Sequence, residues 1–218
     1  DQVRRYRPFA SSGIRIDKKF ARQTGGHGQY GHVVIEVEPL GRGAGFEFIE
    51  AVKGGAIPRN FIPAIQAGVR EATDVGPLAG FEVVDVKVTL VDGSYHEVDS
   101  SELAFRMAGS MALKDAVIRG KPVLLEPIMK MEVVTPEQFL GSIIGDISSR
   151  RGHIEAIETQ GDTRIVRATV PLSDTFGYAT SIRSLTEGRA TSSMEFAKYQ
   201  EVPASLAAEL TGKTLVKK

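Results

Sequence analysis

From Met129 to Phe196 the chain runs through segment types in an order that few architectures accept. Met129, Met131 and Val133 alternate with polar residues, the period of a half-buried strand. Thr135-Pro136-Glu137-Gln138 supplies an N-cap, a proline at the first helical position and a glutamine that reaches back. Leu140, Ile143, Ile144 and Ile147 then give a helix one apolar face. Strands are predicted at 153–158 and 164–170, followed by a helix over about 174–186 that Gly188 ends. Met194 and Phe196 share one face of a last strand. The order β-α-β-β-α-β is that of a split βαβ sandwich, so residues 126–203 are expected to form a ferredoxin-like domain. Residues 204–218 read as a tail with a short helix.

Residues 14–125 follow another pattern, and a link at 121–127, stiffened by Pro122 and Pro127, separates the two. Strands are expected at 14–24 and 32–38, where Val33, Ile35 and Val37 alternate with Val34, Glu36 and Glu38. Phe46 to Ile49 makes a short strand, and Ile62, Ile65, Val69 and Ala72 place a helix over about 60–75. The strand Val83 to Val91 turns Val84, Val86, Val88 and Leu90 to one side, and Asp92-Gly93 breaks it. Asp99 and Glu102 form a capping box for a helix that Gly120 closes. Its expected buried stripe is Leu103, Met107 and Met111, with Ala104, Ala108 and Ala112 allowing close approach to the sheet. The class is therefore α+β, in two domains.

Between the first two strands lies Thr24-Gly25-Gly26-His27-Gly28-Gln29-Tyr30-Gly31-His32. Four glycines in seven residues free the backbone, while His27, Gln29, Tyr30 and His32 can hydrogen-bond or stack. A polar, ring-bearing loop on a rigid strand suits folded RNA, although a flexible hairpin with no partner has the same composition. It does not suit a nucleotide: no Gly-x-x-x-x-Gly-Lys-Ser/Thr occurs in the chain.

Charge sets a limit on that reading. The 27 basic and 27 acidic residues divide as 3 and 1 in residues 1–13, 13 and 14 in 14–125, and 11 and 12 in 126–218. With no basic excess, any RNA contact must be local and guided by shape. The absence of cysteine excludes disulfides and cysteine-ligated metals. No apolar run approaches the roughly 20 residues of a membrane span. Asp1 to Pro8 carries neither an initiator methionine nor the shape of a signal peptide, so the chain reads as a fragment.

Five motifs in series resemble the C-terminal third of bacterial elongation factor G. They are Gly25 to His32, Gly93 to Glu102, Leu124 to Met129, Ile144 to Gly152 and Phe176 to Thr180. The match runs from about Ile14 to about Pro203 and leaves residues 1–13 as an unmatched extension or linker. The resemblance implies that 14–125 is the factor's fourth domain, similar to the second domain of ribosomal protein S5, and that 126–203 is its fifth. It implies a ribosome-binding piece of a translocation factor, itself without catalytic residue, cofactor or metal. GTP and magnesium belong to a domain this chain lacks. The implied partners are the small-subunit decoding centre, the GTPase-associated region of the large subunit, tRNA and mRNA. The implied protein is a monomer in the cytoplasm of a bacterium or in an organelle, with no membrane contact. Tip loops Gly25, Gly26, His27, Gly28, Gln29, Tyr30 and Gly31, and Tyr95, His96 and Glu97, are the implied contacts. His27 stands where the family pattern implies arginine or lysine.

Several residues admit plainer readings. His96 with Glu97 and Asp99 could form a metal or acid/base site, but no second histidine stands at ligand spacing, and a tip histidine suits an RNA edge or 2′-hydroxyl. Arg150 and Arg151 either meet the negative pole of a helix or contact large-subunit RNA phosphates. Phe176 and Tyr178 read as core. The rival functions are a recycling or ribosomal-protection paralogue of the same family, and a stand-alone α+β enzyme, for which the sequence offers no Ser/His/Asp or cysteine-based constellation.

Overall fold

The computed structural model describes residues 5–7 and 13–211, so most of the 1–13 extension lies outside the described residues. The described chain divides into two compact units, Arg5–Leu124 with Val202 onward, and Leu125–Glu201.

The first unit is built on β1 (Arg5–Arg7), β2 (Ile14–Thr24), β3 (His27–Pro39), β4 (Phe46–Glu50), α1 (Ile62–Asp74), β5 (Glu82–Val83), β6 (Val86–Ser94) and α2 (Glu102–Arg119). Its main sheet has the order β2-β3-β6-β4, antiparallel except for the parallel pair β4/β6, whose connection is α1. A short parallel pair joins β1 to β5. Alternation in β3 buries Val33, Ile35 and Val37 against Ile65 and Val69 of α1 and Phe105, Ala108 and Leu113 of α2. Each apolar side chain so buried contributes roughly 1.5–3 kcal/mol.

Four local expectations need correcting. The strand expected over 83–91 is interrupted at Asp85, whose φ is +58°. Buried Asp85 accepts the Gly45 amide on its carboxylate and the Leu40 amide on its carbonyl, so it pins a turn instead of extending a strand. Asp92-Gly93 does not break β6, because a bulge opposite Val34 and Ile35 absorbs the irregularity and the strand continues to Ser94. The cap of α2 is Ser101, whose Oγ accepts the Ala104 amide at 3.1 Å, and not Asp99. Gly120 does close α2, its amide donating to Ala116 O at 2.8 Å with a helical φ of −72°, and the left-handed residue is Lys121 beyond it. The buried stripe of α2 is Ala104, Phe105, Ala108, Gly109, Ala112, Leu113, Ala116 and Val117, while Leu103 and Met107 are exposed. Four alanines and Gly109 face inward because α1 and the sheet both approach closely, and Phe105, Leu113 and Val117 fill the space between them.

The second unit contains most of β7 (Val123–Pro136), then α3 (Leu140–Ser149), β8 (His153–Gln160), β9 (Thr163–Pro171), α4 (Tyr178–Leu185) and β10 (Thr191–Glu201). Its strands run in the order β10-β7-β9-β8, all antiparallel. With helices between β7 and β8 and between β9 and β10, this is the expected βαββαβ sandwich. Met131, Val133, Ile143, Ile147, Val166, Val170 and Ile182 form its core. The 121–127 stretch is no exposed link: Leu124, Leu125 and Glu126 are buried within β7. Thr135 caps nothing, since β7 runs through it and a single 3₁₀ turn at Glu137–Phe139 precedes α3. Phe176 is exposed, so of the two rings expected in the core only Tyr178 is there.

After β10 the chain rejoins the first unit. The Val202 amide donates to Leu124 O at 2.9 Å, and α5 (Ala204–Thr211) places Ala207, Leu206 and Leu210 on the first unit's core. The expected tail is therefore partly structural; residues 212–218 lie outside the described residues.

Candidate nucleic-acid interface

The glycine-rich stretch is a tighter object than the loop expected from its composition. β2 and β3 pair without interruption to Thr24 opposite His27, leaving Gly25 and Gly26 as a two-residue turn with φ of +52° and +106°. Positive φ at both positions is the conformation that glycine adopts most readily. Gly28 and Gly31 have another reason to be glycine. A Cβ on Gly28 would lie 2.8 Å from the Asp99 carboxylate, and one on Gly31 would lie 2.5 Å from Ala104 O. These glycines sit within a strand because another segment passes over it.

That segment is the second predicted tip. Tyr95, His96, Glu97 and Val98 are exposed beyond the end of β6. The turn is closed on itself, with the His96 amide donating to Ser100 Oγ at 2.8 Å and the Ser100 amide to His96 O at 2.9 Å. It is also tied to the hairpin: the Tyr30 amide donates to Asp99 O at 2.8 Å and the Gly28 amide to Asp99 Oδ1 at 3.1 Å. This is what Asp99 does in place of capping α2. The Tyr30 and His96 rings lie 6.1 Å apart, tilted by 53°.

Both tip segments thus occupy one end of the first unit. Alternation along β3 places Gln29 on the opposite face from Tyr30, so Tyr30 is the ring beside His96 and Gln29 shares the end without sharing that contact. The side chain of His27 lies outside the described residues. Although the chain is neutral overall, cations cluster here. Lys19 Nζ lies 5.5 Å from the centroid of the Tyr30 ring and the Arg22 guanidinium 5.9 Å from that of Phe20. Arg22 stands opposite Gln29 across the hairpin.

Three residues outside the expected site complete it. His32 Nε2 is 2.8 Å from Asp17 Oδ1, His32 Nδ1 is 2.7 Å from Ser94 Oγ, and Ser94 Oγ is 2.8 Å from Tyr30 Oη. No Ser/His/Asp constellation is expected from the sequence, yet the pairing of β3 with both β2 and β6 assembles one. It ends on a phenol, not on a free serine nucleophile, because Tyr30 is a second partner of the Ser94 hydroxyl. Among the described residues no group of three histidine or acidic side chains is arranged to hold a metal, and no helix is long and apolar enough to cross a membrane.

Arg150 and Arg151 have internal work in the second unit. Arg150 Nε donates to Asp146 Oδ2 at 2.9 Å, and its Nη1 to the carbonyls of Asp174 and Phe176. Arg151 grips Glu126 with both terminal nitrogens, at 2.9 and 3.0 Å, and its Nε donates to Asp174 Oδ2 at 2.8 Å. The hydrogen bonds that the Arg151 guanidinium donates to Glu126 and Asp174 hold it above its ordinary pKa. Neither the helix-pole reading nor the phosphate reading anticipated this network, in which every Arg151 nitrogen already has an acceptor within the unit.

Known proteins resemble this chain along nearly all of its length. The family model for elongation factor G, domain IV, matches residues 5–121, beginning inside the stretch that the motifs left unmatched. The model for the elongation factor G C-terminus matches residues 123–210. The chain is 57% identical over 202 residues to elongation factor G of Dehalococcoides mccartyi, covering 93% of this chain and 29% of that protein. A crystal structure from Thermus thermophilus superposes with a TM-score of 0.82 at 38% identity, over 97% of this chain and 31% of that one.

Proposed function

The chain belongs to the elongation factor G family, and on that premise we propose that its first unit enters the decoding centre of the small ribosomal subunit during GTP-dependent movement of tRNA and mRNA. It corresponds to the C-terminal domains of a translation elongation factor and spans under a third of the relative it matches. The single observation that carries the proposal is the docking of the 95–98 turn onto the β2–β3 hairpin through Asp99, which presents His96, Tyr30 and Gln29 at one end of a packed unit.

The role is positional. Rings and polar edges at a rigid tip recognise unstacked bases and 2′-hydroxyls, and Lys19 and Arg22 supply a local attraction that the neutral chain does not. A tip that binds one ribosomal state better than another biases the rearrangement between them without bond chemistry of its own. GTP and magnesium are assigned to a domain outside this chain. The second unit is assigned to the large subunit's GTPase-associated region.

In the full-length factor, His96→Ala or Gln29→Ala is expected to slow translocation by about tenfold, the loss of roughly 1.4 kcal/mol of contact in the favoured state. Ribosome-stimulated GTP turnover should stay near its original rate. Parallel loss of both activities in a rapid-kinetics comparison would mean the tip is not a separable positioning element.

A further inference from the structure

With a neutral His32 ring, the Asp17–His32–Ser94–Tyr30 chain has a single self-consistent hydrogen-bond polarity. The Asp17 carboxylate can only accept, so His32 Nε2, 2.8 Å away, carries a proton and donates it. With the ring neutral, Nδ1 is then a lone pair and must accept from Ser94 Oγ at 2.7 Å. Ser94 has one hydroxyl proton, now spent on His32. Its 2.8 Å contact with Tyr30 Oη is therefore a hydrogen bond in which Tyr30 donates. The Tyr30 proton is directed into the protein, and only oxygen lone pairs remain for a partner.

We infer that Asp17, His32 and Ser94 are positioning residues that make the Tyr30 hydroxyl an obligate acceptor toward RNA. The group it takes is a donor, a ribose 2′-hydroxyl or an exocyclic base amine, and not a phosphate oxygen. This rests on the tip being an RNA-facing surface. It goes beyond that reading by assigning the ligand chemistry of one hydroxyl and a role to three residues outside the set of implied tip contacts. Neighbouring structure fits the assignment. Lys19 lies against the Tyr30 ring and His96 beside it, so a phosphate in reach has other donors, and Tyr30 supplies what they cannot. The side chains also hold the tip together: Tyr30 and His32 from β3 meet Ser94 at the end of β6, immediately before the exposed turn.

Two measurements on this chain test it. With four histidines present, a long-range proton–nitrogen correlation spectrum of nitrogen-15 histidine-labelled protein at pH 8 is assignable by comparison with His32→Gln. The expected result is a protonated Nε2 and a pyridine-type Nδ1 for His32. The opposite tautomer, or a ring protonated at both nitrogens, overturns the polarity. Co-sedimentation with ribosomes supplies the second arm. Tyr30→Phe and His32→Gln should each weaken binding by about three- to tenfold, the scale of one hydrogen bond, and the double variant should be no weaker than the weaker single. Losses that multiply would show that His32 acts independently of Tyr30 and overturn the relay. Absence of ribosome binding by the unsubstituted chain, alongside the expected tautomer, would instead remove the RNA-facing reading and with it the ligand assignment.

Discussion

Gly68→Ala is expected to destabilise the first unit by about 2 kcal/mol, although alanine is the better helix former by about 1 kcal/mol. Gly68 lies in α1 where α2 crosses it, and an added Cβ would stand 2.0 Å from Arg106 O and 2.8 Å from Arg106 C. The obstacle is backbone within a helix, which cannot rotate aside as a side-chain end can. Gly109 of α2 faces α1 in the same way, 2.8 Å from Ile65 O, so both helices rely on bare backbone at the crossing. Relieving the overlap requires moving one helix off the core that Ile65, Val69, Phe105 and Leu113 fill, and overpacking of that kind costs roughly 1–3 kcal/mol or more. Gly145→Ala is the matched control. It too is helical, in α3, but nothing lies within 4 Å of its added Cβ, so the propensity gain of about 1 kcal/mol should be realised as stabilisation. Urea denaturation of the two variants should give midpoints displaced in opposite directions. A stabilised Gly68→Ala would show that the helices do not cross this closely.

Arg151→Ala should cost the second unit about 3 kcal/mol. Glu126 is 3% exposed, and its two oxygens are both engaged by Arg151, so truncation leaves a carboxylate buried without its cation. Arg151 is itself about a third exposed, which admits some water and places the effect toward the lower end of the roughly 3–5 kcal/mol seen when a buried pair is broken. The same arginine joins the end of α3 to Asp174, ahead of α4, so the loss should also loosen that connection. Arg151 has a φ of +57°, which glycine adopts without strain; Arg151→Gly should therefore recover about 1 kcal/mol relative to Arg151→Ala. Ordered midpoints, original above glycine above alanine, are the expected denaturation result. Equal midpoints for all three would mean that Glu126 is satisfied in some other way.

The fold was largely legible in the sequence because its elements carry strong periods. β3, α1 and the βαββαβ order follow from apolar spacing alone, and the buried residues Val33, Ile35, Ile65 and Ile143 are those the period selects. What misled was local chemistry with more than one use. Asp99 has the sequence signature of a cap, but its carboxylate takes the Gly28 amide of the hairpin, and Ser101 caps α2 instead. Leu103 and Met107 are the largest apolar residues near the start of α2 apart from Phe105, yet a helix wedged against both a sheet and another helix buries its alanines and glycine. The motifs single out the tip segments but not the His32 relay, because the glycines suggest a long flexible loop. A two-residue turn at Gly25-Gly26 would have set the register, placing Lys19 opposite His32 and Asp17 on the diagonal to it. Ser94 opposite His32 follows only from the β3/β6 pairing, a contact across 62 residues that no local pattern encodes.

The chain contains no cysteine, so Glu97→Cys introduces a single thiol on the exposed turn beside His96 without touching Tyr30 or Gln29. An iron chelate tethered there, with this chain bound to ribosomes, cuts RNA within its short radical range. Cleavage confined to small-subunit RNA around the decoding site is the predicted pattern. Cuts only in large-subunit RNA, or none above the cysteine-free control, would contradict the placement of this tip.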